Sequence, residues 1–124
     1  MLETFLLRDN IKILLCETEG NPISTEQQAL DLIGDAFGHD AKVVAIPVDR
    51  LDPEFFSLKN GIAGAFTQKF VNYRLALAIV GDISEHTEQS SALKAFVTES
   101  NRGNQIWFLN EIEDIDPYLK KLPV

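Results

Sequence analysis

Residues 52–82, DPEFFSLKNGIAGAFTQKFVNYRLALAIVGD, decide the fold. Asp52-Pro53 is a helix-start pair: the carboxylate can cap free N–H groups, and proline fits the first helical position because the N–H it lacks would be unpaired there. A first turn over residues 54–58 is expected, followed by a helix carrying Ile62, Phe66, Phe70 and Tyr73 on one face. That helix feeds directly into residues 75–80 (LALAIV), which contain no polar side chain. A strand bare of polarity on both faces belongs in the middle of a sheet covered on both sides.

Upstream, residues 42–46 (KVVAI) read as a second buried strand, ended by Pro47. Residues 24–38 read as a helix with a capping box from Ser24 and Gln27, a buried face of Ala29, Leu30, Ile33, Ala36 and Phe37, and Gly38 as its stop. Two apolar runs at residues 3–7 and 11–16 flank Arg8-Asp9-Asn10. Asp and Asn tolerate left-handed backbone angles, so a β-hairpin is expected. Downstream, residues 88–101 read as a helix burying Leu93, Phe96 and Val97, with Gly103 as its stop and Arg102 placed well for the helix dipole. Residues 106–109 (IWFL) read as a strand, and Asp116-Pro117 starts a last helix presenting Leu119 and Leu122. Strands alternating with helices imply right-handed crossovers. The expectation is one α/β domain over residues 1–124, with about five strands, mostly parallel, opened by an antiparallel hairpin and with helices packed on the sheet.

The 124 residues are 45% hydrophobic and carry a net charge of −8. A chain this acidic repels phosphate backbones and anionic lipid, which argues against nucleic-acid or membrane-surface partners. No run approaches the roughly 20 apolar residues that span a bilayer. The single cysteine, Cys16, permits no intramolecular disulfide and fits a reducing, cytoplasmic setting. His39 and His86 stand apart from each other and from any nucleophile motif, so both are read as surface residues. No cofactor motif or metal-ligand spacing is present, and Gly61-x-x-Gly64 lacks the Lys-Ser/Thr of a phosphate loop. Close helix packing is the expected reason for those two glycines.

Phe55-Phe56-x-Leu58-Lys59-x-Gly61, Gln68-Lys69-Phe70-x-Asn72-Tyr73-Arg74, Leu77-Ala78-Ile79-Val80-Gly81-Asp82 and Glu99-Ser100-Asn101-Arg102-Gly103 together resemble the bacterial domain of unknown function 4180 family, over nearly the whole chain. The order of elements also resembles the STAS fold (sulfate transporter and anti-sigma factor antagonist domains). In regulatory STAS members a Ser or Thr at the start of the helix after the third strand is phosphorylated to control docking. That resemblance implies Ser57 as the phosphoacceptor, although the usual Asp-Ser/Thr-Ser-Gly is replaced by DPEFFSLKNG.

Two functional readings follow. The first is a non-catalytic regulatory module binding a protein partner, or a second copy of itself, through Phe55, Phe56, Ser57, Lys59 and Asn60. Adjacent aromatics cannot share one helical core stripe, so one of the two rings is expected to be exposed or lodged against another surface, as interface aromatics are. The second is a small enzyme or a nucleotide- or cation-binding domain, using Asp49, Asp52, Asp82 and Glu111 at the carboxyl ends of the strands.

Overall fold

The computed structural model describes residues 3–122. Strands β1 (Glu3–Arg8) and β2 (Ile11–Cys16) form the hairpin, closed by Asp9 and Asn10 at φ 51° and 64°, left-handed as their residue types predict. Then follow α1 (Glu26–Gly38), β3 (Val43–Pro47), α2 (Ile62–Asn72), β4 (Ala76–Val80), α3 (Ser84–Gln89), α4 (Ser91–Arg102), β5 (Ile106–Leu109) and α5 (Asp116–Leu119). The sheet order is β1-β2-β3-β4-β5, with β1 antiparallel to β2 and every later pair parallel.

A sheet wound in strict chain order advances in one direction at every right-handed crossover, so all the crossover helices share one face. Side chains confirm this by strict alternation. Leu14, Val44, Ile46, Leu77, Ile79 and Phe108 point into a core with Leu32 and Ile33 of α1, Phe66 and Phe70 of α2 and Leu93 of α4. Their neighbours Ile13, Val43, Ala45, Ala76, Ala78, Trp107 and Leu109 form a second core on the opposite face. No crossover helix reaches that face. Ile115 and Leu119 close it instead, with Tyr118 against Trp107 at 5.4 Å. Arg8 anchors this cover to the hairpin by a bidentate pair with Asp116, both bonds 2.7 Å.

The local signals were partly displaced. The capping box of α1 is Thr25 with Gln28, one residue later than expected, and Gln28 Oε1 also accepts from the N–H of Ser24. Asp40, at φ 59°, ends the helix rather than Gly38, with the Ala41 N–H returning to the Ala36 carbonyl at 2.8 Å. Leu32 replaces Leu30 on the buried face, and Phe37 is exposed. Helix α3 precedes the helix expected over residues 88–101 and gives no sequence signal of its own: none of its six side chains is fully buried, so they carry no hydrophobic period. Among the described residues no helix is long and apolar enough to cross a membrane.

Asn101 of α4 closes the outer edge of β5. Its Oδ1 accepts from the Phe108 N–H at 2.7 Å, and its Nδ2 donates to the Phe108 carbonyl at 3.2 Å, as a neighbouring strand would. Gly103 accepts the Trp107 indole N–H at 3.1 Å. The Asn-Arg-Gly run therefore finishes the sheet edge as well as the helix. Asn101→Leu strands both Phe108 main-chain groups and is expected to cost about 1–3 kcal/mol in urea unfolding; an unchanged midpoint contradicts the edge role.

The Arg8 pair sets a pH dependence. The hydrogen bond from Arg8 holds the Asp116 carboxyl below its ordinary value. A depressed folded pKa means stability is fully present above the ordinary carboxylate value and is lost as pH falls through the folded one. Arg8→Met should therefore be less stable than wild type at neutral pH, with the gap narrowing in acid. A gap constant from pH 7 to below the folded pKa would show that the ion pair contributes nothing.

Candidate functional site

Between β3 and α2 the chain makes three single 3-10 turns, Val48–Arg50, Pro53–Phe56 and Leu58–Asn60. Each has a local cause. Arg50, only 5% exposed, donates from Nε to the Asn21 carbonyl (2.8 Å) and from Nη1 to the Glu17 carbonyl (3.0 Å). Backbone dipoles thus satisfy a buried cation and strap the β2–α1 connection to the site loop. Gly20 lies so close over the guanidinium that a Cβ there would come within 2.5 Å of Cζ. Asp52 Oδ1 caps the second turn at the Glu54 N–H, 2.9 Å, as the Asp-Pro pair predicts.

Gly61 sits at φ 80° and turns the chain into α2, while Asn60 supplies the cap: its Oδ1 accepts from the Ile62 N–H and its Nδ2 donates to the Glu54 carbonyl, each 2.9 Å. Close helix packing does not explain the glycine pair. Gly61 serves the left-handed turn, and a Cβ on Gly64 would meet open space.

Phe55 and Phe56 are both buried, at 1% and 6% exposure, so neither ring is exposed and each is lodged against a surface within the chain. The stripe argument assumed an α-helix with one wall. In this 3-10 turn the two rings face different walls. Phe55 meets Phe66 of α2 edge-on at 5.7 Å, and Phe56 stacks on His86 of α3 at 4.3 Å with the planes 13° apart. His86 is accordingly a half-buried packing residue, not a solvated one. Its role was invisible without α3.

Of the five residues expected to bind a partner, Ser57, Lys59 and Asn60 are exposed, and Pro53 and Glu54 beside them are exposed too. Ser57 and Lys59 border a groove of about 380 Å³ whose far wall is His86, Gln89 and Ser90. Among the described residues the Ser57 hydroxyl has no hydrogen-bond partner and Lys59 no ion-pair partner. Ser90 is itself the cap of α4, accepting from the Leu93 N–H at 3.1 Å.

The expected acidic edge does not assemble as one cluster. Asp82, Glu111 and Asp114 border an open hollow with Asn110, and Asp49 and Asp52 are not part of it. Asp82 accepts from the Ser84 N–H at 2.9 Å, which holds its carboxyl below the ordinary range, and Glu111 and Asp114 cap each other's turn. No group of three or more His, Cys, Asp or Glu among the described residues is placed to hold a metal ion. Strict chain-order winding also provides no reversal of strand order, the point where open α/β sheets form their ligand crevice. A smaller hollow of about 270 Å³ lies at the ends of β4 and β5, beside Lys94, Thr87 and Thr98.

A family model for a domain of unknown function, DUF4180, matches residues 8–119. The chain belongs to that family. No curated protein and no solved structure matches it. The DUF4180 segment runs from Arg8 into α5, so it contains both partners of the ion pair that closes the second core, as well as the whole site loop and both walls of the groove.

Truncating either ring should behave as a core mutation. Phe55→Ala and Phe56→Ala are expected to cost about 3–5 kcal/mol each, whereas Ser57→Ala and Lys59→Ala stay within about 0.5 kcal/mol. Chemical denaturation separates the two groups, and a Phe56→Ala variant as stable as wild type would mean that the ring is not packed beneath His86.

Proposed function

We propose that this DUF4180 chain is a non-catalytic regulatory module of the bacterial cytoplasm, STAS-like in architecture, that docks a protein partner through the surface around Ser57, Lys59 and Asn60. Phe55 and Phe56 act from beneath, fixing that surface by their packing. The observation that carries this reading is a hydroxyl and an ammonium without partners among the described residues, both on the rim of a groove, on a loop anchored by buried aromatics. Rigid presentation of a few polar groups lowers the ordering cost of association.

Phosphorylation of Ser57 would add two negative charges or nearly so, beside Lys59 and opposite His86, and would change what the groove accepts. The acidic balance of the chain supports a protein partner rather than nucleic acid or a membrane surface.

The test is affinity capture from an extract of the native cell with tagged wild type, Lys59→Glu and Ser57→Glu. Both variants should fold normally and retain at least about tenfold less of a specific partner, a loss near 1.4 kcal/mol. A partner retained equally by all three removes the proposed surface. In parallel, a thermal-shift screen against nucleotides and divalent cations should leave the midpoint unmoved. A reproducible stabilisation of several degrees would instead favour a small ligand at the acidic strand ends.

A further inference from the structure

We propose that β1 is a self-association edge, through which two copies of the chain pair antiparallel about a two-fold axis and join their sheets into one. The first ground is the direction of the backbone groups. In a hairpin with a two-residue turn the flanking pair, Arg8 and Ile11, exchanges both hydrogen bonds, and alternation makes Leu6–Ile13 and Thr4–Leu15 the next bonded pairs. The Lys42 N–H donates to the Lys12 carbonyl at 2.9 Å, which shows that residue 12 turns its backbone toward β3 and away from Leu7. The N–H and C=O groups of Phe5 and Leu7 therefore point out of the sheet. Among the described residues nothing pairs with them.

The second ground is the contrast between the two edges. Asn101 occupies the main-chain groups of Phe108 on β5. Among the described residues strand β1 has no such cover; its charges stand at its two ends, Glu3 and Arg8, with Lys12 Nζ 5.4 Å from the Phe5 ring centre. It runs six residues in unbroken register, without proline or bulge, and residues 4–7 carry no charge. Leu7 is 67% exposed and Phe5 36%, both on the helix-bearing side.

The third ground is that this edge is self-complementary. Two continuous sheet faces require the axis to pass through a residue, since a slip of one position inverts every side chain. An axis at Leu6 sets Phe5 against Leu7 of the second copy, and Leu7 against its Phe5, each as a bonded pair. Leu6 then faces Leu6 of the second copy on the other side of the sheet, beside the second core. The two exposed apolar side chains of each copy cover those of the other. Four main-chain bonds are what an interface of about 400–800 Å² carries, below the size of stable specific contacts. The dimer is accordingly a weak one that dissociates on dilution.

Sedimentation velocity of the full chain tests this between roughly 1 and 200 µM, a range that covers dissociation constants from micromolar to submillimolar. Wild type is expected to pass from monomer to dimer. Leu7→Lys, at an exposed position, should remain monomeric throughout, with the same unfolding midpoint as wild type at about 1 µM, where both are monomers. Leu6→Cys should cross-link two copies under mild oxidation, because a non-bonded antiparallel pair brings the Cα atoms to about 4.5 Å, within disulfide reach. Thr4→Cys, which would oppose Arg8, should not. The native Cys16 is buried and does not compete. A wild type that stays monomeric across the range, including one that takes up a strand from another protein, overturns the proposal. So does a dimer indifferent to Leu7→Lys.

Discussion

A sheet wound in strict chain order buries one face with its crossover helices and has to find another cover for the second. Here that constraint falls on the last stretch of the described chain. Ile115 and Leu119 fill the space over Ile13, Val43 and Ala76, and Tyr118 lies against Trp107. The apolar contact supplies the driving force, while the bidentate Arg8–Asp116 pair supplies orientation. An exposed ion pair adds little stability by itself, but it joins the first strand to the last helix and so fixes where the cover sits. Without that cover, a row of fully apolar strand positions would face water.

The same winding decides what kind of site the protein can build. A sheet with reversed strand order opens a crevice between helices on opposite faces, whereas this one has no such opening. Its hollows are shallow and lie between loops and the starts of α3 and α4. The loop after β3 becomes rigid by inserting two aromatic rings into different walls, one against α2 and one against α3. The strand-end carboxylates of Asp52, Asp82, Glu111 and Asp114 are engaged in capping turns and helix starts.

Which parts of this were legible in the sequence follows from the range of the interactions involved. Fully apolar runs such as LALAIV and the Asp9-Asn10 turn report on themselves, so strand number, the succession of elements along the chain and the hairpin could be read directly. Asp52-Pro53 was legible for the same reason. Capping boxes are ambiguous by one residue when Ser24-Thr25 and Gln27-Gln28 stand side by side, and only the reach of Gln28 to the Thr25 and Ser24 N–H groups resolves the choice. The burial of Phe56 was not legible, because it depends on His86, which lies thirty positions away on a helix with no hydrophobic period. Asn101 was read as part of a helix end for a similar reason. Its second role needs the edge of β5 beside it.

The two edges of the sheet show how the fold and the proposed surfaces fit together. Among the described residues Asn101 occupies the Phe108 groups on the β5 edge, whereas the matching groups of Phe5 and Leu7 on β1 are left open. The groove beside Ser57 shares no residue with β1 and lies between the loop after β3 and the start of α4. Pairing at β1 would therefore leave that groove free and present two copies of it on one rigid sheet. For a partner with two matching sites, the second contact becomes intramolecular, and weak individual contacts gain strength from effective concentration rather than from new chemistry. A shallow groove and a small self-association edge are each modest alone. Combined in one symmetric unit, as proposed, they would make a binding module whose occupancy depends on its own concentration.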